Sequence, residues 1–598
     1  MKELSPKRHS SKFESPEELA REQAEHFGID PESEYGNKLV SLAISLYEAN
    51  RHTHDLWQIT MDGLASLDRN DRLAWFNAKR FISFQLAKVL DNLQNPLRAT
   101  YQSLNTQQGQ FMAKGAYPLF DNVSALFSAS PVITRTATYL FACSEWVEDA
   151  FKGREPLHEI YSRLLNPTSI ALANHIVDIE AGKRANEYLA WNFNSGMAAI
   201  DATLSHLVGH RDIVLASRNV YGGTFQLLND WYGNNANMDV AVEWVDGFTG
   251  KEFAQAMDTA SDRYADRITE GRQIYIYLES PCNPHGYILD VPAICVEAHR
   301  RGWRVIADTT VGTPFLYPVL QRDDEMERPD FVIHSYTKDI AGNGATTAGV
   351  VIGRNEDMFI PKGDSVTTKW PDGRFREACW NQTLFWNVYY VKGAFLDADK
   401  AYEVLNGMKT LELRMLQKAI NTTTLAQIFH MHPDINVSCP VLDDNENVEM
   451  LNQMYLSMPA PLFTINFDTE RGKTLSRAVL KQFYDLLEPA IGMQVSLGQT
   501  NTVALCPAMT THSEMSDSNL RDAGITPSTM RIAVGLEDPR QFVAHMQRAS
   551  EITLDAELSG FSEGFPSPEE IDSVYREVYS ALHFRFIDAR PSYQSLLE

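Results

Sequence analysis

Between residues 212 and 352 the chain repeats one pattern: a short run that is apolar throughout, then a longer segment with helical spacing. The runs are Asp212 to Ala216, Val240 to Val245, Gln273 to Leu278, Trp303 to Ala307, Phe331 to Ile333 and Ala348 to Ile352. Helical segments accompany them, such as Gly196 to Val208 before the first run and Val291 to Arg301 between the third and the fourth. A strand with one wet face alternates apolar and polar residues, whereas a strand covered on both faces reads as a continuous apolar run. The pattern therefore predicts an α/β unit whose largely parallel sheet has helices on both sides. Ligands of such sheets gather at the carboxyl ends of the strands.

At 598 residues the chain exceeds what one core serves, so further units are expected on either side. The first is helical. Ser15, Pro16 and Glu18 form a helix start, with a capping hydroxyl, a proline at the first position and an acid at the third. Leu39, Val40, Leu42, Ala43, Leu46 and Tyr47 recur at helical spacing, and Trp75, Phe76, Phe81, Phe84 and Leu90 do so less regularly. Both sets read as packing surfaces. After Asn355 comes an aromatic-rich segment with Trp370, Trp380, Phe385, Trp386, Tyr389 and Tyr390. A second α/β unit follows from Ala401 to Ile552, and a helix is expected over Pro568 to Leu582.

Charge narrows the function. Lys and Arg total 53 against 78 Asp and Glu, a net charge of -25, which disfavours general binding to nucleic acid or anionic membranes. Cys143, Cys282, Cys295, Cys379, Cys439 and Cys506 are scattered without a C-x-x-C pair, so reduced thiols are expected and a zinc site is not. His52 and His54 are two apart and point to different faces of a helix, which is no metal pair. The segment Met1 to Glu14 is too polar for a secretory signal, and no apolar run reaches membrane-spanning length. A soluble, cytoplasmic protein is expected.

The strongest chemical signal is FVIHSYTK, Phe331 to Lys338, in which a buried strand runs into a lysine bracketed by hydroxyls. Burial lowers a lysine pKa toward the amine that condenses with aldehydes. Asp308 ends the preceding apolar run, where a carboxylate could meet a ligand or simply cap a turn. Asn194-Ser195-Gly196-Met197 opens a helix whose free N–H groups suit an anion. Tyr221-Gly222-Gly223-Thr224 places an aromatic ring beside flexible backbone. The chain has no nucleotide P-loop, no H-E-x-x-H and no G-x-S-x-G, and Gly342-Asn343-Gly344 follows a lysine turn, which is not a dinucleotide fingerprint.

In their order, these motifs resemble the pyridoxal 5'-phosphate (PLP) enzymes of cysteine and methionine metabolism. That family includes cystathionine γ-synthase, the cystathionine lyases, methionine γ-lyase and O-acetylhomoserine sulfhydrylase. The resemblance runs from about Pro131 to about Ile552. Its landmarks are YSRLLNPT (Tyr161 to Thr168), NSGMAAI (Asn194 to Ile200), YGGT (Tyr221 to Thr224) and ESPCNP (Glu279 to Pro284). ADTTVGTP (Ala307 to Pro314), HSYTK (His334 to Lys338), NGMKTLELRM (Asn406 to Met415), SLG (Ser496 to Gly498) and MRIAVGLED (Met530 to Asp538) complete the series.

The resemblance implies an aspartate aminotransferase-like fold (fold type I) with a mostly parallel seven-stranded-type sheet, a smaller C-terminal α/β domain and here a helical N-terminal extension. The implied divisions are an extension over 1–120, a family arm over 121–190, a PLP-binding domain over 191–400 with an insertion near 365–395, a C-terminal domain over 401–555 and a tail over 556–598. Lys338 is implied as the Schiff-base lysine and proton shuttle, Asp308 as partner of the pyridinium nitrogen, with Thr310 beside it, and Tyr221 as the ring that stacks on the cofactor and assists as an acid. Gly196, Met197, Ser335 and Thr337 would hold the phosphate, and Tyr161 and Arg163 would reach it from a neighbouring subunit. Asn283 would lie near the phenolic oxygen, while Arg531, helped by Ser496, would clamp the substrate carboxylate. A homotetramer of catalytic dimers is implied, acting on a small amino acid without nucleic acid, membrane or metal.

Departures from the family bear on the substrate. Thr309 and Thr310 follow Asp308, Asp339 follows Lys338 where an aromatic is usual, and Gly342 to Ala345 replaces a G-H-S-D-type stretch. Gly223 stands where methionine γ-lyases carry Cys, Asn501 where others have Glu, and Ala508 to His512 is closer to the sulfhydrylases. The expected activity is γ-elimination or γ-replacement on a methionine-, homoserine- or cystathionine-type amino acid. The alternatives are a β-lyase that releases pyruvate and a non-catalytic scaffold descended from the family.

Overall fold

The computed structural model describes residues 15–63, 81–90, 128–139, 161–467, 475–488, 490–510 and 525–592, with a few single positions between them. Expectations for residues 1–14, Trp75, Phe76, Cys143 and His512 concern positions outside the described residues. The chain divides into two compact units, Met1–Val132 with Thr138–Ile160, and Ile133–Ala137 with Tyr161–Glu598.

In the first unit the helix Pro16–His26 starts as its sequence dictates, with the Ser15 hydroxyl accepting from the Glu18 N–H and Pro16 in the first turn. It packs Leu19, Ala20 and Ala24 against Val40 and Tyr47 of the helix Glu34–Gly63. Leu46, expected on the packing stripe, is exposed because the buried face follows the seven-residue step from Val40 to Tyr47. Phe81 and Phe84, also expected to pack, are exposed on a helix over 81–90.

The second unit is built on a seven-stranded sheet. Its strands are β1 (Tyr188–Phe193), β2 (Ile213–Ser217), β3 (Ala241–Val245), β4 (Ile274–Glu279), β5 (Arg304–Asp308), β6 (Phe331–His334) and β7 (Gly349–Arg354). They lie in the order β1-β7-β6-β5-β4-β2-β3. β7 runs antiparallel to both of its neighbours, and the other pairs are parallel. β2, β4 and β6 are buried at every position, which is why they read as unbroken apolar runs, whereas the edge strand β3 is half-buried. β1 escapes the run pattern because Asn192 interrupts it; the Asn192 amide is buried and donates to the Ser169 carbonyl at 2.7 Å. Leu172 and Ile176 of the helix Pro167–Ala181 are fully buried in the same core, each stabilising it by about 1.5–3 kcal/mol.

The aromatic-rich segment forms a hairpin, β8 (Ser365–Lys369) and β9 (Phe375–Cys379), followed by a helical turn over Phe385–Tyr389. The guanidinium groups of Arg304 and Arg376 lie over the Trp370 ring, at 5.3 and 4.8 Å from its centroid, and both arginines bind Asp357. Phe385 and Tyr389 pack at a tilt of 35° and 33° against Trp191 of β1, with ring centroids 4.7 and 5.1 Å away. The C-terminal part carries an antiparallel sheet of β10 (Asn436–Ser438), β11 (Leu462–Asn466), β12 (Val503–Leu505) and β13 (Met530–Ala533), ordered β10-β11-β13-β12. The last helix runs over Pro568–Asp588, longer than expected, and Val578 and Leu582 join the main core.

Candidate active site

The parallel strands end together at one edge of the large sheet, and four of them, β2, β4, β5 and β6, finish on the polar residues Ser217, Glu279, Asp308 and His334. Glu279 of β4 pairs in register with Asp308 of β5, so two carboxylates stand side by side at this edge. Just past it lies a cavity of about 340 Å³. It is lined by Gly196, Met197, Tyr221, Asn283, Asp308, Thr310, Ser335, Thr337, Lys338, Ser496 and Arg531. The remaining expected residues, Tyr161 and Arg163, do not line it. Tyr161 is exposed, and Arg163 donates to the Tyr390 carbonyl at 2.7 Å.

One wall is the start of the helix Gly196–Leu207. Ser195 caps it by accepting from the Ala198 N–H at 3.1 Å, which leaves the first-turn N–H groups of Gly196 and Met197 at the cavity. Gly196 comes so close to the strand exit that an added Cβ would sit 2.6 Å from the Ser335 Cβ. A helix N-terminus beside a serine and a threonine is a donor set for a phosphate. Thr337 is also structural here, since its hydroxyl accepts from the Ala348 N–H at 3.0 Å.

At the opposite wall Asp308 is 6% exposed. Thr310 gives it both an N–H and a hydroxyl bond, at 3.0 and 2.6 Å, and both go to Oδ1. The same threonine oxygen accepts from the Ser335 N–H at 2.8 Å, which ties the ends of β5 and β6 together. Burial pushes the Asp308 carboxyl up from the usual range, opposed by Thr310 and by the positive charge of Lys338. A buried carboxylate that forms no ion pair among the described residues is suited to a protonated ring nitrogen.

Lys338 lies in the turn after β6, and its Nζ donates to the Ser496 hydroxyl at 2.5 Å. Burial, aided by repulsion from Arg531, brings its pKa down to about 8, although Asp339 and Asp308 pull the other way. Arg531 on β13 is 1% exposed and donates from Nη1 to Asn283 Oδ1 at 2.9 Å and from Nη2 to the Ser496 carbonyl at 2.5 Å. Its Nε is buried with no partner among the described residues. Burial lowers its pKa to about 10. A desolvated guanidinium that is held, among the described residues, by two neutral oxygens is a site for an anion.

Glu279 was not singled out from the sequence. Its Oε2 accepts from the Tyr221 N–H at 2.7 Å and its Oε1 from the Asn283 N–H at 3.1 Å, so one side chain holds both the ring and the amide at the cavity. Burial, with Asp308 beside it, drives its carboxyl well above the usual range. The signal available in the sequence was its position: it closes an apolar run as Asp308 does. The geometry suits an aldehyde cofactor with a phosphate at one end and a basic ring nitrogen at the other, and leaves Arg531 for a substrate anion.

Residues 121–551 match the family model of Cys/Met metabolism PLP-dependent enzymes. The chain is 30% identical to the L-methionine gamma-lyase of Pseudomonas putida over 420 residues, covering 70% of this chain and 92% of that one. It is 25% identical to the O-acetyl-L-homoserine sulfhydrylase of Leptospira meyeri, covering 69% and 90%. Among solved structures, a putative O-acetylhomoserine (thiol)-lyase from Campylobacter jejuni with N'-pyridoxyl-lysine-5'-monophosphate superimposes with a TM-score of 0.58 at 25% identity. That likeness covers 71% of this chain and 96% of the other.

Proposed function

The chain belongs to the Cys/Met metabolism PLP-dependent enzymes, and on that premise we propose γ-elimination or γ-replacement on a methionine-, homoserine- or cystathionine-type amino acid. PLP, when bound, accepts the electron pair released at the substrate Cα. Lys338 would carry the cofactor through Nζ and, once freed by the substrate amine, move protons at Cα and Cβ. Asp308, oriented by Thr310, would keep the ring nitrogen protonated. Gly196, Met197, Ser335 and Thr337 would hold the phosphate, Tyr221 would stack on the ring, and Asn283 would stand near the phenolic oxygen. Tyr161 and Arg163 would come from a neighbouring copy in a homotetramer of catalytic dimers, in the cytoplasm.

The observation that carries the substrate class is Arg531, a buried guanidinium that lines the same cavity as Lys338 and has no carboxylate partner among the described residues. An α-amino acid brings the carboxylate it lacks, and the neutral Ser496 carbonyl and Asn283 amide fix its plane. The Tyr221 hydroxyl or the freed Lys338 would protonate the leaving γ-substituent. After the γ-substituent has left, hydrolysis, which consumes one water, gives a 2-oxo acid and ammonia, whereas addition of a thiol at Cγ gives a new thioether.

The test is product analysis by mass spectrometry, giving the PLP-loaded protein methionine, cystathionine or O-acetylhomoserine, each with and without a thiol. Formation of 2-oxobutanoate or a thioether is the expected result. Pyruvate alone would move the protein to the β-lyases, and absence of turnover with all three would refute this substrate class.

A further inference from the structure

Directly behind Lys338 the chain buries an ion pair that the chemistry above does not use. Lys418, on the helix Leu411–His430, donates to Asp339 Oδ1 at 2.6 Å, and both side chains are 0% exposed. A second Lys418 bond, also 2.6 Å, goes to the Gln499 carbonyl. One turn earlier on the same helix, Arg414 donates to the Asp339 carbonyl at 2.6 Å and to the Gly407 carbonyl at 2.8 Å. The other Asp339 oxygen, Oδ2, is buried without a partner among the described residues.

These bonds fasten two backbone segments that both meet Lys338. Asp339 is its neighbour in the chain. Gln499 belongs to the loop whose Ser496 receives the Lys338 proton donor and whose carbonyl receives Arg531. Between them Gly498, at φ +84°, presses so close that a Cβ there would lie 2.4 Å from the Asp339 nitrogen and 2.7 Å from the Lys338 Cα. Removing two charges from water costs more than packing two apolar side chains in the same space, so stability alone does not account for the pair. The charges that act on Lys338 are Arg531, Asp308 and Asp339, and Arg414 and Lys418 in turn act on Asp339.

We propose that Asp339 and Lys418 are positioning residues for Lys338, holding the Ser496 loop against its amine and balancing charge beside it. This rests on the reading of Lys338 as the lysine that carries the cofactor. As a pair they are nearly neutral toward Lys338; separately they act with opposite sign.

The experiment is a pH titration of the visible absorption band of the full-length, PLP-loaded protein, with the rate of cofactor dissociation alongside. Asp339→Asn leaves the Lys418 cation unbalanced and should move the titration midpoint down by about one pH unit; Lys418→Met should move it up by about as much. Lys418→Arg, which keeps the charge, should stay near wild type. Midpoints unchanged in both neutral variants, or displaced in the same direction, would overturn the proposal. Should either single variant fail to fold, the double variant D339N/K418M removes both charges of the pair at once, and cofactor dissociation at least about tenfold faster is expected from the loosened loop. Wild-type dissociation and midpoint in that double variant would reduce the pair to packing. A visible band that survives Lys338→Ala would overturn the reading of Lys338 itself, and this proposal with it.

Discussion

The Lys338 ammonium donates to the Ser496 hydroxyl at 2.5 Å across 158 residues of sequence, and the Ser496 carbonyl accepts from Arg531. One loop residue thus touches the group proposed to carry the cofactor and the group proposed to hold the substrate. Ser496 has a φ of +97°, a conformation that non-glycine residues rarely adopt, and it turns its hydroxyl and its carbonyl to different partners.

Replacing Arg531 with Met should raise KM for an amino-acid substrate by about a hundredfold or more, the scale of losing a buried, charge-assisted fork of hydrogen bonds. Arg531→Lys should not restore it, because an ammonium cannot reach Asn283 and the Ser496 carbonyl and still offer two parallel donors. Steady-state kinetics decide this, and a KM within threefold of wild type would contradict it.

Cofactor uptake should follow the Lys338 amine. Its pKa is lowered to about 8 from 10.5, so the unprotonated, reactive form grows as pH rises through 8 rather than through 10.5. Stopped-flow uptake of PLP by the cofactor-free protein should therefore accelerate between pH 7 and 9 and level off above. The same shift acts on stability. Below pH 8 the folded state holds an ammonium it disfavours, a cost of about 3 kcal/mol, and this cost is relieved as pH rises from 8 to 10.5 while the unfolded chain still binds the proton.

Asp308→Asn should separate function from stability. The buried carboxyl has its pKa raised by burial, so ionisation opposes folding of the cofactor-free protein once pH exceeds the ordinary carboxylate range. The cofactor-free variant should melt at a higher temperature than wild type at pH 8. Its loaded form should turn over at least about a hundredfold more slowly, since a neutral amide cannot hold a proton on the ring nitrogen. Calorimetry and initial rates check the two halves independently.

Gly196→Ala tests the phosphate wall. The new methyl group would meet the Ser335 Cβ at 2.6 Å, so the helix start must move away from the strand exit. A destabilisation of about 1–3 kcal/mol and PLP affinity weakened at least about tenfold are expected, measured by denaturant titration and by equilibrium dialysis.

Much of the large domain could be read in advance because burial on both faces leaves an unmistakable mark. β2, β4, β5 and β6 coincide with apolar runs, and Asp308 and Lys338 stood out as polar residues where such runs stop. β1 was missed because its buried Asn192 is paid for by a contact to Ser169 that no local pattern reveals. The antiparallel direction of β7 was likewise not legible, since direction follows from chain tracing rather than from composition. At the site, Arg531 and Ser496 were expected through resemblance, but their bond to each other is a long-range contact. Glu279 and the Asp339–Lys418 pair went unassigned for the same reason: buried charges declare themselves only when their partners, distant in sequence, come into view.

The central claim is that Lys338 carries PLP, and the most direct test fixes the linkage chemically. The protein, loaded with PLP and reduced with borohydride, is digested, and its peptides are sequenced by mass spectrometry. The account predicts a pyridoxyl phosphate adduct on the peptide that contains Lys338. An adduct on a different lysine, or a Lys338 peptide that remains unmodified in fully loaded protein, would contradict it.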